Sequence, residues 1–196
     1  LRGDSHKYSQ ENLTYKLNLT KMLDNFTFSL SESTGLRHPD LFALHGKNPS
    51  GSYKSMKTTK AETSLSRELT AKYNFVDDIF FETTMYKGSI SDVLNRGTSS
   101  NAYNEIIDIK QEGIENSFVF KDNNQLLKLS NTFSKSREDD GDPQLRRPEQ
   151  QYGVKYSKKF KNNFLGPFNL TYDYRHVGKV EDWKNGSVRE KVDSSD

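Results

Sequence analysis

The chain contains no cysteine, which excludes a disulfide framework and any thiolate metal site. It has no run approaching the ~18–20 apolar residues that a membrane-crossing helix needs. Only 32% of its 196 residues are hydrophobic, and the mean hydropathy is strongly negative, thin for a soluble core of this length. There is no G-x-S-x-G turn, no H-E-x-x-H pair and no phosphate-cradling glycine loop, so no catalytic role is expected and the chain is read as not an enzyme. The 29 basic and 27 acidic residues nearly cancel, to a net charge of +2, and this balance does not suggest nucleic acid as a partner. His6, His38, His45 and His176 are scattered without ligand spacing, so neither a metal site nor a cofactor is expected. A starting methionine and the basic and apolar regions of a signal peptide are also missing, and the polar stretch Asn185–Asp196 resembles no terminal strand. The expectation is an internal segment of a longer polypeptide.

Aromatic residues, at 12%, are too frequent for a disordered chain. Their placement is regular. Leu13, Tyr15, Leu17 and Leu19 alternate with Thr14, Lys16, Asn18 and Thr20; after Leu23-Asp24-Asn25 the alternation resumes at Phe26, Phe28 and Leu30. Successive strand residues face opposite ways, so each run has one apolar and one polar side. The same unit recurs around Val76-Asp77-Asp78, Asp122-Asn123-Asn124 and Lys161-Asn162-Asn163. The pattern predicts strands over Asn12–Met22, Phe26–Glu32, Glu62–Phe75, Ile79–Leu94, Tyr103–Phe120, Gln125–Ser134, Gln150–Phe160 and Phe168–Val180. Long polar loops separate the units at Gly35–Ala61, Asn95–Ala102, Lys135–Glu149 and from Gly178 onward.

Short turns at one end and long loops at the other are the habit of an all-β, antiparallel up-and-down transmembrane β-barrel in a bacterial outer membrane. In Glu62–Phe75 the outward set is Leu65, Arg67, Leu69, Ala71, Tyr73 and Phe75, and the inward set is Ser64, Ser66, Glu68, Thr70, Lys72 and Asn74. Arg67 interrupts the apolar side and costs least at the outer interface. Tyr73, Phe75, Phe160 and Phe164 near turns fit an aromatic girdle. A propeller blade would fit four short strands into each turn-to-turn interval, whereas only two long strands fit here.

Several strings, in this order along the chain, resemble TonB-dependent receptors. Arg2-Gly3-Asp4-Ser5-His6 is similar to the R-x-D-x-H that closes one barrel strand, and Gly35-Leu36-Arg37-His38-Pro39-Asp40-Leu41 to a segment found where a strand meets its loop. Glu62-Thr63-Ser64 with Glu68-Leu69 resembles the following descending strand. Met85-Tyr86 with Ile90-Ser91-Asp92-Val93-Leu94, and Asn104 with Gly113-Ile114-Glu115, resemble the next two, the Asn104-to-Gly113 gap being one residue longer, as a bulge would make it. Leu145-Arg146-Arg147-Pro148 resembles the string that opens the next strand, and Tyr172-Asp173-Tyr174-Arg175-His176-Val177-Gly178 one that follows it. The likeness is closest to the cobalamin receptor branch, with siderophore receptors next. It implies that residues 1–196 are eight consecutive strands from a partial barrel domain of about 22 strands, with the plug domain and last strands outside this sequence. It also implies TonB-energised uptake of cobalamin or a ferric siderophore, with outer-membrane lipid around a monomeric barrel and TonB reached through the plug.

Ligand contact is expected from the long-loop end, at Tyr53, Arg96, Tyr103 and Trp183. Lumen or plug contact is assigned to Arg37, Glu68, Glu115, Arg146 and Arg147, with Lys72, Glu82 and Lys155 also on the lumen side. Arg146 and Arg147 adjoin the acidic loop Glu138-Asp139-Asp140-Gly141-Asp142 and are expected either to pair with it or to send one side chain inward. That acidic loop does not match an EF-hand order and is read as solvated. Two other readings stand beside the receptor: a complete eight-stranded barrel with an anchoring or adhesive role, and a soluble β-sandwich.

Overall fold

A computed structural model of the chain describes residues 2–6, 9–39, 60–96, 103–162, 166–184 and 188–192. Eight strands form one sheet: β3 (Lys16–Leu23), β4 (Phe26–Arg37), β5 (Glu62–Val76), β6 (Ile79–Arg96), β7 (Tyr103–Lys121), β8 (Gln125–Glu138), β9 (Gln150–Asn162) and β10 (Gly166–Val177). Every strand pairs antiparallel with its neighbour in sequence, in the order β10-β9-β8-β7-β6-β5-β4-β3. A finished eight-stranded barrel would pair β3 with β10, which instead stand at opposite edges.

Two hairpins lie outside this sheet: β1 (Arg2–His6) with β2 (Ser9–Thr14), and β11 (Val180–Lys184) with β12 (Val188–Val192). Both correct the expectation. The predicted first strand, Asn12–Met22, divides at Tyr15, where the ladder gives way to a side chain. The Tyr15 amide donates to Thr34 Oγ1 at 3.0 Å, while its carbonyl accepts from the Thr34 amide at 2.9 Å. The last predicted strand stops at Val177 rather than Val180, and part of the polar tail forms β12. β4, β6 and β8 also run further into their loops than expected, ending at Arg37, Arg96 and Glu138.

The tight turns explain the Asp/Asn signature. Asp24 takes φ 47°, a left-handed conformation that Asp tolerates better than most residues. Asp122 holds its turn through Oδ1, which accepts from the Asn124 amide at 2.7 Å and the Gln125 amide at 2.8 Å, an Asx-turn. Residues 163–165, with Phe164, lie outside the described residues. At the loop end, β6 advances from Ile90 to Val93 while β7 goes only from Ile109 to Ile107. Asp92, φ 59°, sits in this bulge, and its amide donates to Asp108 Oδ1 at 3.0 Å. One step further, Asn95 faces Glu105 and Arg96 faces Tyr103, so Asn104 is the extra residue on β7, where the long gap predicted a bulge.

Between these irregularities the register carries each face straight across the sheet. One row runs Leu19, Leu30, Leu69, Met85, Ile114 and Phe133. The neighbouring row toward the turns on the same face includes Phe28, Ala71 and Thr83, and the next Phe26, Tyr73, Phe81, Phe118 and Leu129. Near the turns, aromatic rings meet: Phe26 and Tyr73 at 4.5 Å between centroids, Tyr73 and Phe75 at 4.8 Å, Phe160 and Phe168 at 4.9 Å. These apolar residues are uncovered; Leu19 is 71% exposed and Leu30 54%. Among the described hydrophobic residues only Ala61, Ile107, Ile109 and Val119 are buried. An apolar face this extended requires a nonaqueous surrounding or a partner, which disfavours the soluble sandwich.

Candidate functional site

The opposite face is polar by the same alternation. Thr20, Ser29, Thr70, Thr84, Glu115 and Thr132 form one row. Hydroxyls pair along it, Thr20 with Ser29 and Thr70 with Thr84, both at 2.9 Å. Glu68, Lys72, Glu82, Glu115 and Lys155 all occupy this face by register, as the alternation predicts. Lys72 stands opposite Glu82 and places Nζ 4.0 Å from the Phe80 ring centroid. Lys155 lies opposite Asp173, with 4.0 Å between charged atoms. Tyr86 sits between Glu68 and Gly113, and the missing side chain of Gly113 leaves room for its ring. A Cβ on Gly113 would fall 2.6 Å from the Tyr86 hydroxyl.

At the loop end of the same face, Arg37 pairs with Glu62 at 3.4 Å, and Glu62 also accepts the Leu94 amide at 3.3 Å. Glu62 therefore ties the ends of β4, β5 and β6 together, a role that its place in the sequence string did not reveal. Arg146 and Arg147 lie in the loop expected over Lys135–Glu149. Neither lies in a strand, since β9 begins at Gln150. Arg146, φ 59°, donates its amide to the Glu181 carbonyl at 2.9 Å and its Nε to Asp182 at 3.1 Å. It thus fastens the loop before β9 to β11, with Asp182 as its ion-pair partner among the described residues. That loop closes on itself: the Gly141 amide bonds the Glu138 carbonyl, the Asp142 amide bonds Asp140 Oδ1, and Arg137 donates to the Gly141 carbonyl at 3.1 Å. Among the described residues no three His, Asp or Glu side chains converge as a metal site would require.

The four proposed ligand contacts are not gathered into one described site. Tyr53 lies outside the described residues. Arg96 and Tyr103 are backbone partners at the loop end of β6 and β7. Trp183 is on β11 opposite Arg189.

Sequence reading singled out one charge on the apolar face, Arg67, but the register reveals a row. Glu32, Arg67, Lys87, Glu112 and Lys135 stand side by side on β4 to β8, one step loopward of the Leu30 to Phe133 row. Glu32 accepts from Arg67 Nε at 2.6 Å and from the Tyr15 hydroxyl at 2.5 Å. Pattern reading in single strands misses this row because its neighbouring members are all 20 or more residues apart in sequence. At the opposite, turn end, the Asn124 amide and the Gln125 side chain and amide hold the Asp122 carboxyl below its ordinary pKa.

A family model described as TonB dependent receptor-like, beta-barrel, matches residues 1–194. The chain belongs to the TonB-dependent receptor family. Comparison with curated proteins finds no match. Among solved structures, the siderophore receptor PirA from Acinetobacter baumannii aligns with a TM-score of 0.72 at 16% identity, over 97% of this chain and 31% of that one. FpvA of P. aeruginosa bound to heterologous pyoverdines aligns at 0.67 and 16% identity, over 91% and 25%. The FrpB iron transporter from Neisseria meningitidis aligns at 0.64 and 17% identity, over 88% and 27%. The chain thus spans about a quarter to a third of these proteins.

For a TonB-dependent receptor barrel the faces acquire names. In a transmembrane barrel of this kind an apolar face meets lipid and the opposite, polar face lines the lumen. Strands β4 to β9 each pair on both sides, the condition for crossing a bilayer in this form, while β3 and β10 pair on one side within this chain.

Proposed function

We propose that this chain is a wall section of a bacterial outer-membrane receptor that takes up a scarce, bulky solute, a ferric siderophore or cobalamin, with energy delivered by TonB through a plug domain. The observation that carries the reading is the family match over residues 1–194. Three of the similar structures have names that speak of siderophore, pyoverdine and iron, which supports the ferric siderophore ahead of cobalamin; another is named a copper transporter. In this reading the extracellular ends of β6, β7 and β11, with Arg96, Tyr103 and Trp183, and the loop bearing Tyr53 contact the solute. Arg37, Glu68, Glu115, Arg146 and Arg147 act at the lumen or its rim; for Arg146 the bond to Asp182 favours holding the loop end in shape over touching a plug. The expected partners are outer-membrane lipid, the solute and TonB, around a monomeric barrel.

The test is uptake by cells carrying the complete gene that encodes this segment, compared with its deletion, using radiolabelled ferric siderophores and cobalamin in parallel. The reading expects energy-dependent accumulation of a siderophore-bound iron that deletion abolishes. Accumulation of cobalamin alone would move the assignment to that solute, and accumulation of neither would reject the uptake role.

A further inference from the structure

The lipid-facing charged row changes character along its length. At one end Arg67 is neutralised by Glu32 at 2.6 Å. Over β6 to β8 cations outnumber anions within two rows of this face. Lys87, Glu112 and Lys135 stand in one row, and the next row loopward on the same face adds Lys110 opposite Arg137. Lys87, Lys110 and Lys135 form no ion pair among the described residues, whereas Arg137 is engaged by the Gly141 carbonyl. A hollow of about 540 Å³ opens beside these cations, with Met85, Ile114 and Phe133 on its turnward side, Lys87, Glu112 and Lys135 on its loopward side, and Glu149 and Gln150 at its β9 end.

The height of the row agrees with a membrane interface. From Ile79 to Lys87, Lys121 to Glu112 and Gln125 to Lys135, the strands rise about 19–23 Å along the membrane normal, at ~3.3 Å per residue and a tilt of ~45°. That is close to the ~25 Å apolar band of outer-membrane barrels. The cations therefore stand where lipid headgroups begin, and the hollow reaches into the depth of the acyl chains.

We propose that this site on β6–β8 binds a lipid of the outer leaflet whose phosphate leaves it with a net negative charge, the phosphate on Lys87 and Lys135 and one acyl chain in the Met85–Ile114–Phe133 hollow. Lys110, one row higher, meets further anionic groups of the same headgroup. Glu112 stands between the two lysines and disfavours a headgroup that presents a second anion at the centre of the row. The lipid choice follows from the pairing of charge and depth: a free phosphate would use the lysines and leave the hollow unfilled, and a neutral lipid would use the hollow and leave the lysines unpaired.

The test is native mass spectrometry of the complete receptor containing this segment, in detergent, with added phosphatidylglycerol, phosphatidylcholine or inorganic phosphate. One phosphatidylglycerol is expected to remain bound, with phosphatidylcholine retained about tenfold less. Lys87→Gln with Lys135→Gln abolishes the preference, and Ile114→Trp weakens retention by filling the hollow. Glu32→Gln with Arg67→Gln, on the same row but outside the hollow, leaves it intact. Equal retention of both lipids, a preference unaffected by Lys87→Gln with Lys135→Gln, or displacement of phosphatidylglycerol by equimolar inorganic phosphate would each overturn the proposal. Heat-modifiable migration on gels verifies that every variant is a folded barrel.

Discussion

The ring of Tyr86 lies over Gly113 of the neighbouring strand, its hydroxyl 2.6 Å from the point that a Cβ on Gly113 would occupy. The strand needs a glycine there because the space on the lumen side is already filled by an aromatic from β6. Gly113→Ala is expected to destabilise the barrel by about 1–3 kcal/mol through overpacking. Adding Tyr86→Ala should recover only part of the loss, because the same Cβ would also crowd the Phe133 carbonyl at 2.6 Å. Denaturant unfolding of the complete receptor in detergent, as a double-mutant cycle, measures the coupling.

The Glu32–Arg67 pair makes a second prediction. Arg67→Gln alone strips Glu32 of its cation on the lipid-facing side and leaves only the Tyr15 hydroxyl beside it. A lone charge near lipid costs more than a neutral pair. The single variant is therefore expected to melt at a lower temperature than Glu32→Gln with Arg67→Gln. A melting temperature for the double variant at or below that of the single would contradict the pairing.

Much of this wall was legible because a half-exposed strand writes its two faces into alternate residues. The tight turns were legible too, since Asp24 and Asp122 supply a left-handed backbone and an Asx-turn that few other residues favour. Short strands without an apolar side carry no such signal, and so β1, β12, the first half of β2 and all of β11 but Val180 fall outside the strands that the sequence predicts. Partners distant in sequence were equally hidden. Nothing near Arg146 points to Asp182, and nothing in any one strand shows that Arg67, Lys87 and Lys135 share a row.

Asp122 gives the turn a pH dependence. Its folded pKa lies below the ordinary value of 3.8, so its contribution to stability is fully present above that pH and is lost as pH falls through the lower, folded value. The stability difference between the native chain and Asp122→Ala is expected to be constant from neutral pH down to about 5 and to shrink below the ordinary value. Unfolding curves across that range measure it; a difference that widens in acid would contradict the Asx-turn account.

Arg146 holds the β11–β12 hairpin through a side-chain and a backbone bond. Arg146→Ala is expected to raise amide hydrogen exchange over residues 180–192 and to leave the exchange of β5 to β7 unchanged. Arg147→Ala should leave the exchange of both regions unchanged.

The central claim is that alternate residues of these strands meet lipid and lumen. It is tested most directly by single cysteines placed in the complete receptor, with any cysteines elsewhere removed, since this segment contains none. Spin labels at Leu30, Leu69 and Ile114 should be accessible to oxygen and shielded from a water-soluble nickel chelate. Labels at Ser31, Glu68 and Glu115 should be shielded from oxygen, as sites facing water or a packed plug would be. A pattern that fails to alternate, or that alternates with the opposite sign, would contradict the barrel wall described above.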